Sequence, residues 1–355
     1  MLDSGSAYKI VKYISQYKSG VIDLLKYMWN EYDENGRYKL FKWRYEDNPY
    51  EEPIIFLAVE KDLVIGFRAF IAQLFVKGDR QYIVFSPADT IIHRDHRRKG
   101  IISALNDKCI EEINMKYQNK DILLINTSTS KPSMPVYLKQ GWKKSNGLRR
   151  FYFKHSLINY LYSSINGNTK IFTPEVIEVN TKAYKIVVSK EVNSKELSVF
   201  SLNIKNPNRW TNIRDTRFFD WRYNFLPEKY YFIYCYHENS LQGYLIIKKS
   251  TDKKYALDQF EAVNNKVFKA LVHTAYKILK IVQLRSYAFL PEEKNLLMRN
   301  GFLPEPIALL KSMGIQRFPI LVRPKNPQPE ETDFIVEGRD IRDINNWHLQ
   351  VSDRH

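Results

Sequence analysis

The chemistry-bearing residues concentrate in Ser86–Leu105, SPADTIIHRDHRRKGIISAL. This stretch reads as a strand over Ala88–His93, a basic turn over Arg94–Gly100 with one glycine, and a helix opening at Ile101. A helix N-terminus presents backbone N–H groups that lack intrahelical partners, together with the positive end of the helix dipole. Glycine lets the backbone approach an anion closely, and Arg97, Arg98 and Lys99 add formal charge around it. Strand, basic glycine turn and helix, in that order, make a cradle for a pyrophosphate.

The elements that must position this turn follow from periodicity. Tyr8–Ile14 reads as a strand. Lys18–Asn30 reads as an amphipathic helix, with Val21, Ile22, Leu24, Leu25 and Met28 at helical spacing. A polar turn is expected at Asp33–Gly36, then strands at Ile54–Glu60, Leu63–Phe75 and Gln81–Phe85. The helix from Ile101 should run to Met115, followed by a strand at Ile122–Ile125 and the polar run NTSTSKPS. A short helix then stops at Gly141, a C-cap signature, before a strand carrying Trp142. Phe151–Phe153 is expected to continue that sheet, and Ser163–Asn168 reads as a linker. Past Phe318 come a last strand, PILVR, prolines 324, 327 and 329, and a tail whose Trp347 and Leu349 suggest docking onto the body, with a polar disordered tail as the alternative.

The second half repeats the first. Phe41-Lys-Trp43-Arg44-Tyr45 recurs as Phe219-Asp-Trp221-Arg222-Tyr223, an offset of 178. Gly66 recurs as Gly243 at offset 177, and Gly141-Trp142 as Gly301-Phe302 at offset 160. Collinear matches imply a doubled fold. The strand–turn–helix of the second copy is Tyr255–Val263, Asn264-Asn265-Lys266 and Val267–Val282. Its turn has no glycine and a single cation, so one working and one degenerate copy are expected. The division expected is 1–160, 161–325 and a tail, 326–355.

Composition bounds the rest. Apolar residues make up 44% and aromatic residues 14%, and the net charge is +16. That balance favours polyanionic partners. Cys109 and Cys235 are the only cysteines, which argues against a disulfide framework and reads as two buried thiols. His237, His273 and His348 have no metal-ligand spacing, so no metal is expected. No apolar run is long enough to span a membrane, and MLDSGSAYKIVKY lacks a signal pattern, so a cytoplasmic protein is expected.

Arg97-Arg98-Lys99-Gly100-Ile101-Ile102 resembles the Arg/Gln-x-x-Gly-x-Gly/Ala signature of the GNAT superfamily of acyl-CoA N-acyltransferases. Val136-Tyr137-Leu138-Lys139-Gln140-Gly141-Trp142 is similar to its Leu-Tyr-x-Lys-x-Gly-Phe motif, about 40 residues on and in the family's order. Two positions depart: Ile102 stands where the family has a small residue, and Arg94 where it usually has proline. The motifs cover about Ile54–Phe153, and the repeat extends the fold to about 325. The resemblance implies an α+β protein of two tandem GNAT folds, each a mixed, mostly antiparallel twisted sheet flanked by helices. It further implies coenzyme A as co-substrate, held by Ile92, Arg97–Ser103, Asn126, Ser130 and Tyr137, with the Ile92 N–H facing the oxyanion and Tyr137 protonating the leaving thiolate. Within the tandem branch the chain looks like N-acyltransferases of nucleotide-linked (dTDP- or UDP-) amino deoxysugars, with acetyl or a short hydroxyacyl such as 3-hydroxybutanoyl as the acyl group.

The residues leave several roles open. Tyr137 reads as acid or as a core aromatic. Asp89, Ile91 and His93 share a strand face by period two, so Asp89 or His93 could take the amine's proton, as could water. Asp89 reads also as a strand-end cap or as half of an ion pair. Arg44, with Tyr45, could grip a substrate phosphate, but its recurrence as Arg222 in the degenerate copy favours structure. Aminoacyl-tRNA-dependent peptide-bond-forming transferases, a GNAT acetylating another small amine, and a non-enzymatic nucleic-acid binder are the rival readings. The intact turn and the spread of charge along the chain rank nucleic acid below a small-molecule acceptor. Monomer and homodimer both remain open.

Overall fold

The computed structural model describes residues 8–129, 132–148, 150–166, 176–251, 253–305 and 319–353. They fall into two compact units: 8–146 with 319–346, and 147–305 with 347–353.

The first unit opens with β1 (Lys9–Lys12), α1 (Lys18–Leu25) and α2 (Glu34–Phe41). The apolar face of α1, Val21, Ile22, Leu24 and Leu25, is buried. The turn expected at Asp33–Gly36 is instead the start of α2. The Asp33 side chain accepts the Gly36 N–H at 2.7 Å and so caps one of the helix's free donors. Strands β2 (Ile54–Glu60), β3 (Leu63–Lys77) and β4 (Arg80–Ile92) form an antiparallel meander. The two strand pieces expected across Gln81–His93 are thus one long strand. Helix α3 (Ile101–Lys116), β5 (Ile122–Asn126), α4 (Met134–Lys139) and β6 (Lys143–Leu148) complete the series. Ile101, Leu105, Cys109 and Ile113 of α3 pack on Ile54, Ala58, Phe70 and Phe85 of the sheet, with Trp142 in the same core. Burial pushes the Cys109 thiol up to about 12.

The second unit runs β7 (Arg150–His155), α5 (Leu157–Asn166), β8 (Val176–Asn180), β9 (Lys185–Ser189), α6 (Ser194–Asn203), β10 (Trp210–Asn212) and α7 (Thr216–Tyr223). It continues with β11 (Tyr230–His237), β12 (Ser240–Thr251), β13 (Lys254–Ala262), α8 (Asn265–Leu279), β14 (Gln283–Ala288), α9 (Pro291–Arg299) and β15 (Leu303–Pro304). Strand β16 (Pro319–Pro324) follows. Residues 163–166 of the expected linker end α5, and 167–168 lie outside the described residues.

The first sheet reads β1-β2-β3-β4-β5-β16-β6 and the second β8-β9-β11-β12-β13-β14-β7-β15. Beyond β5 and beyond β14 the two orders correspond, but each sheet takes the next strand from the other half of the sequence. Strand β16 lies antiparallel to β5, with Leu321 opposite Asn126. Strand β7 lies antiparallel to β14, with Phe153 opposite Arg285. The units therefore depart from the division at 160/161, and Phe151–Phe153 does not continue the sheet that holds Trp142. The expected tail divides as well, since 326–346 belongs to the first unit and 347–353 to the second.

Trp347 and Leu349 are buried, as their types suggest. Strand Trp347–His348 runs parallel to β10, and the Trp347 ring lies 5.2 Å from that of Trp210. Among the described residues no helix is long and apolar enough to cross a membrane.

The strand order has a measurable consequence. A fragment ending at residue 160 lacks β16, leaving the β5 edge and its row of backbone donors and acceptors uncovered. It is expected to self-associate in size-exclusion chromatography and to be rescued by co-expression of a segment spanning 318–346. A monodisperse, cooperatively melting 1–160 fragment would contradict this strand order.

Candidate active site

Strand β4 ends with the His93 N–H donated to the Ile65 carbonyl at 2.8 Å. A single helical turn, Arg94–His96, leads to Arg98 and Gly100, both left-handed at φ 65° and 74°. Gly100 occupies the N-cap of α3, and no side chain caps that helix. A Cβ at Gly100 would meet nothing within 4 Å, so the requirement for glycine there is the backbone angle and not space. The first α3 bond is Ala104 N–H to the Gly100 carbonyl at 3.2 Å, which leaves the N–H groups of Ile101, Ile102 and Ser103 without helical acceptors. Left-handed residues in such a turn gather amides into an anion-binding concavity. The Arg97, Arg98 and Lys99 residues stand exposed around it. The concavity opens on a cavity of about 560 Å³ whose walls include Tyr27, Thr90, Ile92, Arg97, Gly100, Ile102 and Ser103.

A second cavity, about 410 Å³, shares Met28, Thr90, Ile102 and Pro132 with the first and adds Arg68, Asp89, Asn126, Ser128 and Tyr137. It exists because β4 and β5 part. They pair in parallel only over Ile83–Phe85 and Ile122–Leu124. Backbone groups alternate sides along a strand, and the His93 N–H points at β3, so those of Ile92 and Thr90 point into the gap. The Ile92 carbonyl faces the same way and accepts from Arg97 Nε at 3.3 Å. Asn126 is buried at the end of β5, its side chain held by the Ser128 N–H at 3.0 Å. Ser130 lies outside the described residues. The Ile102 side chain, larger than the motif's usual residue, helps wall both cavities.

Asp89 and His93 do not share a strand face. Asp89 is a bulge residue at φ 32°, inserted where the register passes from Arg68–Thr90 to Ala69–Ala88, and a bulge breaks the two-residue alternation. His93 lines neither cavity. It sits at the rim, edge-on to Tyr27 with ring centroids 6.3 Å apart and 3.6 Å from the Asp95 carboxylate.

The Asp89 carboxylate accepts the Tyr45 hydroxyl at 2.7 Å and lies 3.3 Å from Arg44 Nε. Tyr45 and Arg44 come from a tight π-helical turn, Lys42–Glu46, which follows α2. Burial, then the neighbouring Asp89 charge, pushes the Tyr45 phenol well up. The second unit repeats this trio. Asp258 is the bulge residue of β13, the Tyr223 hydroxyl donates to it at 3.2 Å, and Arg222 Nη2 lies 3.8 Å away. A trio kept at the same bulge in both copies holds the strand shape.

Tyr137 lies on α4, buried, with its ring edge-on to Trp142 at 5.2 Å. Its hydroxyl oxygen accepts from Arg68 Nη2. Gln140 fastens α4 to α3, accepting from Asn106 Nδ2 at 2.9 Å and donating to Asp107 Oδ1 at 2.6 Å. Gly141 and Gly301 both take φ 79°, and each is followed by an amide that closes on the helix before it: Trp142 on Tyr137, Phe302 on Leu297, both at 3.1 Å. Leu297 thus stands where the first copy has its tyrosine. Arg68 escaped the sequence reading, although it is the only charge in the run from Val64 to Val76 and so carried a signal.

In the second unit Val263 and Asn264 alone separate β13 from α8, against 93–100 in the first. The Asn264 side chain accepts the Val267 N–H at 3.1 Å and so fills the cap that Gly100 leaves open. The gap beside β13 is filled too. The Gln350 carboxamide donates to the Phe260 carbonyl at 2.8 Å and accepts the Phe260 N–H at 2.9 Å. Asp353 anchors that segment, accepting from Arg214 Nη2 at 2.8 Å and Asn212 Nδ2 at 3.0 Å. No cluster of three or more His, Cys, Asp or Glu side chains able to hold a metal occurs among the described residues.

No family model and no curated protein matches the sequence. Solved structures do match by shape. A probable N-acyltransferase of unknown function from Enterococcus faecalis V583 superposes with a TM-score of 0.63 at 14% identity, over 89% of this chain and 72% of that one. A GCN5-related N-acetyltransferase from Anabaena variabilis ATCC 29413 gives 0.61 at 13%, over 90% and 73%. A tandem GNAT protein from the clavulanic acid biosynthesis pathway gives 0.55 at 10%, over 91% and 100%. At these identities the likeness speaks for the fold, and the fold is α+β: two tandem GNAT folds, each a mixed, mostly antiparallel sheet flanked by helices.

Proposed function

We propose that the first copy is an N-acyltransferase that uses acyl-coenzyme A, and that the second copy binds none. The observation that carries this reading is the uncapped start of α3, whose free amides open on a cavity that shares walls with the one in the gap between β4 and β5. Arg97, Arg98, Lys99 and the Gly100–Ser103 amides hold the pyrophosphate. Thr90 offers an edge amide to the pantetheine arm, and Ile102 and Asn126 flank it. The Ile92 N–H faces the oxyanion of the tetrahedral intermediate. Tyr137 gives its proton to the departing thiolate.

The Asp89 carboxylate is held by Tyr45 and Arg44, and His93 stands outside both cavities, so the amine's proton leaves through water. The acceptor we propose is the amine of a nucleotide-linked amino deoxysugar, with acetyl or a short hydroxyacyl as the transferred group. A nucleotide diphosphate suits a chain of net charge +16. Attack is direct, within a ternary complex of acyl donor and amine.

Millimolar acetyl-CoA is expected to raise the melting temperature. A ligand at 100 times its Kd adds about 2.7 kcal/mol. Calorimetric titration should count one site per chain, and Arg97→Ala with Gly100→Glu should abolish both signals. No shift at millimolar acetyl-CoA would sink the proposal. Thiol release with a panel of dTDP- and UDP-amino sugars then identifies the acceptor.

Asp89→Asn separates the proton path from the fold. Breaking a largely buried ion pair costs about 3–5 kcal/mol at most, so a lower melting temperature is expected, with much of the turnover retained below it. Asp258→Asn, in the copy that binds no cofactor, should lower the melting temperature similarly. If Asp89→Asn instead abolished turnover with the melting temperature unchanged, Asp89 would be the base.

A further inference from the structure

We infer that Arg68 is a positioning residue for the acid: it directs the Tyr137 hydroxyl hydrogen into the cavity and balances the charge left when that proton is given up. This rests on the reading of Tyr137 as the acid. Arg68 is 2% exposed on β3, with its guanidinium 4.9 Å from the Phe70 ring centroid and 5.5 Å from that of Tyr137. Among the described residues no carboxylate pairs with it, and its Nε has no hydrogen-bond partner. Asp89, the acid that shares its cavity, is already held by Arg44 and Tyr45. A guanidinium buried without a counter-charge is costly, and nothing in the packing of an apolar strand calls for one.

The bond it does make has a fixed polarity. Arginine has N–H donors and no acceptor, so in the contact between Arg68 Nη2 and the Tyr137 oxygen the phenol must accept. The phenol's own hydrogen cannot lie on that bond and is left for another acceptor, and the Tyr137 side chain borders the cavity. When the amine nitrogen bonds to the thioester carbonyl carbon, the carbon–sulfur bond breaks and sulfur keeps its electron pair. Sulfur then takes the Tyr137 proton, giving one amide and one thiol. The phenolate left behind lies against the Arg68 guanidinium. The amine's surplus proton passes to water, and water returns one to Tyr137.

The second copy gives an internal control. Leu297 replaces the tyrosine. The place of Arg68 falls to Leu245 when counted from the paired glycines, or to Ile246 when counted from the bulge, and both are fully buried. Cation and phenol are absent together from the copy that lacks the cradle, whereas the bulge trio is kept.

The test uses the full chain with acetyl-CoA and the amino-sugar nucleotide that gives the fastest thiol release. Tyr137→Phe and Arg68→Met should each lower kcat by roughly 10²-fold, the lower end of what a positioned acid supplies, with KM for acetyl-CoA unchanged. The double variant should be no slower than Tyr137→Phe alone, and Arg68→Lys should recover part of the rate. The coenzyme A thermal shift serves as the check on folding; if Arg68→Met fails it, Arg68→Lys in the same cycle with Tyr137→Phe reads the coupling. Independent, multiplying losses in the double variant, or an Arg68→Met enzyme at full rate, would overturn the role given to Arg68. A Tyr137→Phe enzyme at full rate would instead sink the acid reading itself.

Discussion

The parting of β4 from β5 is the constraint on which the rest of the site depends. Two parallel strands that stayed paired would satisfy each other's amides and leave no slot. Here the pairing stops after Phe85 and Leu124, and the backbone of Thr90 and Ile92 faces open space. Such a gap is unstable unless something holds the strand in shape, since unpaired edge groups tend to find partners. The bulge at Asp89, pinned by Arg44 and Tyr45, turns β4 away, and β16 occupies the far edge of β5. The cradle at Gly100 then lies at the end of the strand whose edge has been freed.

The two copies separate scaffold from chemistry better than either alone. Both keep the bulge, its aspartate, the tyrosine and arginine that hold it, the hairpin glycine and the left-handed glycine after the short helix. The second copy alone has a capped helix start, a leucine for the tyrosine, apolar residues at the register of Arg68 and a filled gap. Every retained feature stabilises a strand or ends a helix. Each lost one would touch a cofactor or a reacting atom, or hold a side chain that does.

Much of this was legible in the sequence because it is local. The glycine and cations of 97–100, the C-cap at Gly141 and the amphipathic stripe of α1 each announce themselves within a few residues. The repeat was visible because aromatic and glycine positions recur at nearly fixed offsets. What was not legible depends on pairing. PILVR reads as a strand in any sheet, and nothing within it says that β5, almost 200 residues earlier in the chain, is its partner. The bulge at Asp89 was hidden because alternation is assumed until register is known, and that assumption placed His93 on the wrong face. The closeness of Arg68 to Tyr137 joins residues 69 apart in sequence through the sheet.

Gln350 shows what the freed edge of such a strand accepts. Its planar carboxamide offers one donor and one acceptor, and the Phe260 N–H and carbonyl take both. Phe260 lies two residues before Ala262, which pairs with Gly243 as Ile92 pairs with Gly66, so its counterpart in the first copy is Thr90. A pantetheine arm carries amides with the same donor and acceptor. The second copy thus fills from its own chain a slot of the kind that the first is proposed to offer to a cofactor, and the same strand edge serves stability in one place and binding in the other. Filling the slot also gives a physical reason for the loss of the cradle: once Gln350 holds the strand edge, free amides at the start of α8 would face no phosphate, and an asparagine cap is the lower-energy choice.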